Sequence, residues 1–359
     1  MRIGVNALYL IPGGVGGTEI YLRNLLSALA RVDRDNQYVV FTNQETGTGL
    51  APSAQNFSQA SQSVRAVNRP ARILWEQIML PRAAKSHGID ILFNPGFTCP
   101  AWGTCPNVTV FHDLQHVRHP EHFRWFDLPF WRLLLWTSAK RSTSLIAVSE
   151  ATRSDLKAHY RVEAVVIPHG VEREFFDLSE RREPQRYLLC VSTLHPHKNL
   201  DRLIRAFDIP DMQLVIAGLR GFHAEQLDRL IAELQLNGRV RLTGWIPRAE
   251  LLELFRKAWA FVYPSTFEGF GMPVLEAMAA GLNVACSRIP PLVAIGGDAV
   301  DYFDPLDEED LRQALRRLAA GPATAPPASQ RRALEFTWER AARQTLDCLE
   351  AAYRKRSSS

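Results

Sequence analysis

Short apolar runs alternate with amphipathic stretches along this chain, and the alternation starts afresh near its middle. Few folds accommodate that pattern. The first set opens with Ile3-Gly4-Val5-Asn6-Ala7-Leu8, read as a buried strand. The glycine-rich loop Gly13-Gly14-Val15-Gly16-Gly17 follows, and then an amphipathic helix with Thr18 as its expected N-cap. Residues 38–41, 89–93, 108–111 and 145–148 read as further strands, with helices at 126–141 and after Ser149. Residues 44–63, rich in Gln, Ser, Thr, Ala and Gly, read as a mobile loop. The second set follows a charged, Pro-containing stretch at 179–186. It predicts strands at 187–191, 214–217, 240–242 and 261–263 and helices at 200–207, 224–234 and 274–280. Pro322 to Pro327 then breaks the chain, and one helix is expected from about 328 to 353, capping the second set or returning to the first. Strand alternating with helix implies α/β architecture, a parallel sheet covered on both faces. The expectation is two doubly wound domains facing a cleft, residues 1–170 and 171–330, with a C-terminal helix in 331–359.

At 359 residues the chain has room for two such domains. Hydrophobic residues at 46% and charged residues at 22% exclude a disordered or collagen-like chain. Five cysteines, scattered and without a CxxC pair, fit a reducing compartment and argue against a cysteine-based zinc site. The net charge of +4 is concentrated in residues 1–170, where 17 Lys and Arg face 12 Asp and Glu. A mildly basic half suits an anionic partner such as a phosphorylated ligand or a membrane surface. No Lys/Arg cluster of the kind that binds nucleic acid is present, so none is expected as a partner. The opening apolar stretch lacks the features of a secretory signal, and no run reaches the roughly 18 apolar residues of a membrane span. The expected location is cytoplasmic, with peripheral contact on the inner membrane face.

Several stretches carry candidate chemistry. Backbone amides of the 13–17 loop, between a strand and a helix, can approach an anion or a sugar. As a dinucleotide fingerprint the loop fails, because Glu19 stands where a third glycine is needed. His112-Asp113 ends a strand, where an imidazole can move a proton or bond a hydroxyl. His116, His119 and His122 have metal-like spacing, but Pro120 interrupts the run, and no metal is expected. Lys198-Asn199 joins a buried strand to a helix and can neutralise a phosphate. The most specific segment is Glu268-Gly269-Phe270-Gly271-Met272-Pro273-Val274-Leu275-Glu276, a glycine-bearing turn entering a helix. Glu276 lies among apolar residues, and a carboxylate there needs a partner. A ribose diol is one candidate.

The segments PSTFEGFGMPVLEAMAAG, AVSEATRSDL, VIPHGVEREFF, VSTLHPHKNLDRLIRAF and LTGWIPRAELLELFRKAWAFVYPS resemble the retaining glycosyltransferases of family 4, with two Rossmann-like domains in the GT-B arrangement. The resemblance implies a metal-independent hexosyltransferase that needs no cofactor beyond its nucleotide-diphosphate sugar. GDP-mannose is the first expectation for the donor and a UDP-sugar the second. By the same resemblance residues 1–170 take the acceptor and residues 171–330 the donor. Lys198 would bind the diphosphate, Glu276 the ribose, and Glu268 would face the donor sugar. The amides of Phe270, Gly271 and Met272 would contact sugar hydroxyls, Gly16 and Gly17 would approach the donor, His112 would lie near sugar and acceptor, and Gly244-Trp245 would border the base. The family's diphosphate-binding arginine is missing: Thr193 and His197 occupy its positions, and His197 or Arg220 is expected to substitute. The only DxD, Asp33-Arg34-Asp35, ends the first helix, the wrong place for a donor-bound metal.

The acceptor is expected to be a glycan or a lipid-linked hydroxyl. The aromatic stretch from Phe123 to Trp136, with Arg124 and Arg132, either contributes to a lipid-linked or membrane-proximal site or packs into the first domain. Two other activities share the motifs: a nucleotide-sugar epimerase and a non-catalytic nucleotide-sugar-binding protein.

Overall fold

The structure, a computed structural model, describes residues 1–357 apart from Val15, Thr104 and Phe222, and of Arg356 and Ser357 the backbone only. The centre of the glycine-rich loop, Val15, therefore lies outside the described residues. The chain forms two compact units, one of residues 1–170 and 337–359 and the other of residues 171–336.

The first unit holds seven parallel strands: β1 (Arg2–Asn6), β2 (Gln37–Thr42), β3 (Phe57–Ser61), β4 (Ile91–Asn94), β5 (Asn107–Phe111), β6 (Ser144–Ala147) and β7 (Val165–Val166). They lie in the order β3-β2-β1-β4-β5-β6-β7. The chain winds outward from β1 in one direction, then crosses to β4 and winds in the other, so the switch point lies between β1 and β4. The central strands are buried on both faces, as their continuous apolar runs require.

The second unit repeats the plan with six parallel strands: β8 (Tyr187–Val191), β9 (Gln213–Ala217), β10 (Val240–Gly244), β11 (Ala260–Tyr263), β12 (Asn283–Ser287) and β13 (Asp301–Phe303). Their order is β10-β9-β8-β11-β12-β13, with the switch point between β8 and β11. Both sheets and their helices fit the α/β doubly wound reading.

Three expectations need correction. Residues 44–63 are not loop throughout, because Phe57–Ser61 pairs in register with β2 from Tyr38 to Thr42. Its polar FSQAS sequence suits an edge strand that is only partly covered, with Phe57 stacked on Tyr38 at 4.3 Å. The first helix, Gly17–Val32, begins at Gly17, and its N-cap is Gly16 at φ 57°, not Thr18. The single helix expected from 328 to 353 is two, Pro327–Ala333 in the second unit and Trp338–Ser357 in the first. Thr337 separates them: its hydroxyl accepts from the Arg340 amide at 3.2 Å and starts the last helix. That helix packs along Gly17–Val32, with Arg31 bridging to Glu339 at 2.7 Å.

Trp338 is buried in the first unit beside His169, stacked at 5.9 Å. Gly170 permits this, since a Cβ there would lie 2.2 Å from the Trp338 amide nitrogen. Replacing Gly170 with alanine is expected to destabilise the protein by about 1–3 kcal/mol, as forced overpacking does, read as a lower urea midpoint.

Candidate functional site

The loops after β8 and β11 meet at the second unit's switch point, where doubly wound sheets bind ligands. Tyr187–Val191 is an apolar strand, and beyond it Pro196–Lys198 forms one tight turn closed by Asn199 at φ +56°. Asparagine tolerates that left-handed conformation, and its side-chain amide fastens the turn by donating to the carbonyls of Pro264 (3.1 Å) and Pro305 (2.8 Å). The His197 carbonyl accepts from the Thr266 amide at 2.8 Å and from the Ser265 hydroxyl at 3.2 Å. These bonds bring residues seventy positions apart together: Lys198 Nζ lies 2.6 Å from Glu268 Oε1 and 3.2 Å from the Tyr263 hydroxyl. Both side chains of the pair are nearly nine-tenths buried.

After Glu268 the chain turns at Gly271, φ +118°, and enters the helix Met272–Ala279. Glycine is required there twice over, by the positive φ and because a Cβ would sit 2.3 Å from Leu292. Phe270 is buried, its ring 6.1 Å from that of Phe336. Met272 is the first residue of the helix, whose leading amides have no intrahelical acceptors.

Glu276, on the same helix, is 7% exposed. Burial pushes its carboxyl from 4.5 up to about 7, with Arg248 pulling it down and Glu172 adding to the rise. No hydrogen bond to this carboxylate is found among the described residues. Arg248 and Glu172 escaped the sequence reading. Arg248 Nη2 lies 2.9 Å from Glu172, and its guanidinium sits 4.7 Å above the Phe175 ring. Nothing local in the sequence announces a pairing across 76 positions. Tyr263 escaped too. Its hydroxyl titrates well above 10, first because it is buried and then because of Glu268, with Glu276 adding a smaller push.

The remaining residues expected in the second unit lie at the ends of neighbouring strands. His197 stacks on His195 at 6.0 Å and meets the Phe267 edge at 6.5 Å. Arg220 follows β9, and its guanidinium pairs with Asp228 while its stem runs beside Gly244. Gly244 ends β10 at φ 72°, and Trp245 after it is largely exposed. The region thus gathers Lys198, Glu268, Glu276 and the 270–272 turn, flanked by His197, Arg220 and Trp245.

In the first unit, His112 directly follows β5 and is buried. Its Nε2–H donates to the Pro95 carbonyl at 2.8 Å, and burial pushes its pKa down to about 4. The ring is therefore neutral at neutral pH, with Nδ1 as an acceptor, so it suits hydrogen bonding better than proton transfer. A Cβ at Gly16 or at Gly17 would meet nothing within 4 Å, so both positions border open space.

His116 stands apart from His119 and His122 and meets the Tyr160 hydroxyl at 2.5 Å. His119 and His122 instead gather with Glu121, their ligand atoms within 4.8 Å of one another, on a partly solvated turn. Asp33 of the DxD accepts from the Tyr38 hydroxyl at 2.6 Å and from the side chain of Asn36 at 2.9 Å. Its carboxylate is spent on local structure.

Comparison with known proteins places this arrangement in context. Residues 171–333 match the family described as glycosyl transferases group 1, and residues 15–175 match glycosyltransferase family 4. The chain belongs to the group 1 glycosyltransferases. O-antigen chain mannosyltransferase B of Escherichia coli is 28% identical over 263 residues, covering 67% of this chain and 69% of that protein. O-antigen chain mannosyltransferase RfbU of Salmonella typhimurium is 30% identical, with coverages of 63% and 65%. MMP alpha-(1->4)-mannosyltransferase of Mycolicibacterium hassiacum is also 30% identical, with 68% and 64%. Two of these alignments thus span just under two thirds of the relative's length. Among solved structures, sucrose-phosphate synthase from Thermosynechococcus elongatus superposes with a TM-score of 0.79 at 22% identity, covering 100% of this chain and 99% of that one. Anabaena HepE in complex with UDP-glucose gives 0.75 at 20%, covering 98% and 100%. These likenesses establish the GT-B fold for this glycosyltransferase.

Two outcomes follow from the charges. A glutamate whose folded pKa is raised binds its proton more tightly folded than unfolded, so stability falls as pH rises from 4.5 to about 7 and then levels off. Glu276→Gln is expected to stabilise the ligand-free protein at pH 8 by on the order of 3 kcal/mol, with the gain vanishing near pH 4.5. Urea titrations at both pH values check this. Lys198→Met strands a buried carboxylate and is expected to cost about 3–5 kcal/mol, most of it recovered by adding Glu268→Gln. Stability of the single and double variants reads the pair directly.

Proposed function

We propose that this glycosyltransferase moves a mannosyl residue from GDP-mannose to a hydroxyl of a glycan or lipid-linked acceptor with retention of anomeric configuration, and that no metal or cofactor takes part. The observation that carries the reading is Glu276: a carboxylate 7% exposed with no hydrogen-bond donor among the described residues, on the helix that begins just after Glu268. A ribose diol supplies the two O–H donors such a carboxylate lacks. Lys198 supplies positive charge to the donor diphosphate, supported by the amides of the 270–272 turn at the helix start. As the bond from the anomeric carbon to the phosphate oxygen breaks, charge builds on the diphosphate, and Lys198 stabilises it. The acceptor oxygen then bonds the anomeric carbon from the same face and passes its proton to the departing phosphate oxygen. Glu268, held by Lys198 and Tyr263, faces the positive charge developing on the sugar. His197 or Arg220 gives the second diphosphate contact, and Trp245 with Gly244 borders the base. On the first unit, His112 and the Gly16-Gly17 turn are assigned to the sugar and acceptor.

Mannose is favoured because the relatives named above are mannosyltransferases. UDP-sugars rank second because a structure of the same fold binds UDP-glucose. A thermal-shift panel of GDP, UDP, ADP and their sugars is expected to show the largest rise with GDP-mannose, since a ligand binding only the folded state raises the melting point. Transfer, or slow release of mannose, should disappear in Glu268→Ala. Release of a 2-epimer would instead identify an epimerase, and binding without turnover a binding protein.

GDP-mannose carries a diphosphate diester that keeps its charge between pH 5 and 8, so the pH dependence of its binding reports the protein. Only ionised Glu276 accepts both ribose hydroxyls. Affinity is therefore expected to weaken by up to about 100-fold from pH 8 to pH 5, in proportion to the ionised fraction. Calorimetry on Glu276→Gln should give weak, pH-independent binding. An unchanged slope in that variant removes Glu276 from the ribose site.

A further inference from the structure

Of the sixteen large apolar side chains left exposed among the described residues, ten lie between positions 67 and 136 of the first unit. The helix Leu128–Arg141 buries Leu135, Ser138 and Ala139 and turns Phe130, Leu133 and Trp136 to solvent, spaced three apart as one stripe. Just before it, Trp125 is 84% exposed and Phe126 stands beside it. A helix on a water-facing surface carries polar residues in these positions.

Further exposed apolar residues lie on elements tied to that helix. Cys99 donates its amide to the Ser138 hydroxyl at 3.2 Å, and Ala101 donates its own to Gln77 at 2.8 Å. The loop after β4 therefore ties the helix Leu128–Arg141 to the helix Arg69–Ser86, whose Leu74 and Ile78 are exposed one turn apart. Trp102 on that loop, 70% exposed, lies 5.0 Å below the Arg141 guanidinium, and Arg69 sits 5.6 Å from the Trp131 ring. Between positions 118 and 141, five Lys and Arg accompany two acidic residues. Arg124, Arg132, Lys140 and Arg141 are all exposed.

Aromatic rings interleaved with arginines match the chemistry of a bilayer interface, where indole rings seat at headgroup depth and guanidinium groups meet phosphates. No helix among the described residues is long and apolar enough to cross a membrane. We propose that this face of the first unit docks flat on a bilayer bearing anionic lipid, with Trp125, Phe126, Phe130, Leu133 and Trp136 among the headgroups and Arg124 and Arg132 against their phosphates. The proposal stands independently of the donor and of the reaction assigned above.

The test is co-sedimentation of the full chain with phosphatidylcholine vesicles that contain or lack phosphatidylglycerol. Binding is expected only with the anionic lipid, weakening with salt. Trp125→Ala with Leu133→Ser, and separately Arg124→Glu with Arg132→Glu, should each reduce it at least about tenfold without lowering the melting temperature. Brominated acyl chains should quench tryptophan emission in the parent and much less in Trp125→Ala. Three results overturn the proposal: no association with anionic vesicles at low salt, undiminished association of both variants, or a dimer in solution that Trp125→Ala with Leu133→Ser dissolves. The last would assign the face to a second copy of the chain.

Discussion

A lysine and a glutamate held 2.6 Å apart at the carboxyl ends of β8 and β11 set the geometry of the second unit's site. Neither charge tolerates this depth alone, since burying an unpaired ion costs several kcal/mol. The pairing in turn depends on Asn199, whose left-handed backbone turns the chain while its amide grips two carbonyls of facing loops. Lys198 is thereby aimed along the crevice where the sheet's winding reverses. Under the proposed function, a diphosphate entering there would meet an ammonium already positioned by Glu268 and Tyr263, with little side-chain freedom left to lose on binding.

Glu276 shows the opposite economy. Its carboxyl is buried with no hydrogen-bond donor among the described residues and is pushed up to about 7, an arrangement that lowers stability at neutral pH and above. Folding offsets such a cost with the surrounding core, including Val274, Leu275, Ala277 and Met278, all buried. A site that keeps an acceptor unspent is ready to bind hydroxyl donors and also selects for them, because a ligand lacking them leaves the penalty in place.

The sequence disclosed the parts whose cause is local. Strands β8 and β11 are continuous apolar runs, β1 holds Ile3-Gly4-Val5 between polar ends, and the turn into Met272–Ala279 is marked by Gly271, where a Cβ would clash. What escaped depends on distant partners. Phe57–Ser61 is polar and becomes a strand only by pairing with β2. The start of the first helix is set by Gly16's positive φ, where composition favoured Thr18. The break at residues 334–337 hangs on one hydroxyl cap and on Gly170, whose missing side chain admits Trp338 from far along the chain. The charge environment of Glu276, set by Arg248 and Glu172, is likewise assembled in three dimensions.

The two units share one winding plan, yet their switch points are furnished differently. Between β1 and β4, Asn6 donates to Glu76 at 3.2 Å and to Asn94 at 3.1 Å, and Thr98 donates to Glu76 at 2.9 Å. Glu76 is fully buried: Asn6 and Thr98 both donate to its Oε2, and Gln77 donates to its Oε1 at 3.4 Å. These bonds tie both strands to the helix Arg69–Ser86, so the polar groups there hold the fold together. Between β8 and β11, Lys198 and Glu268 answer each other, and no hydrogen bond to the Glu276 carboxylate is found among the described residues. A shared winding plan therefore does not make the halves equivalent.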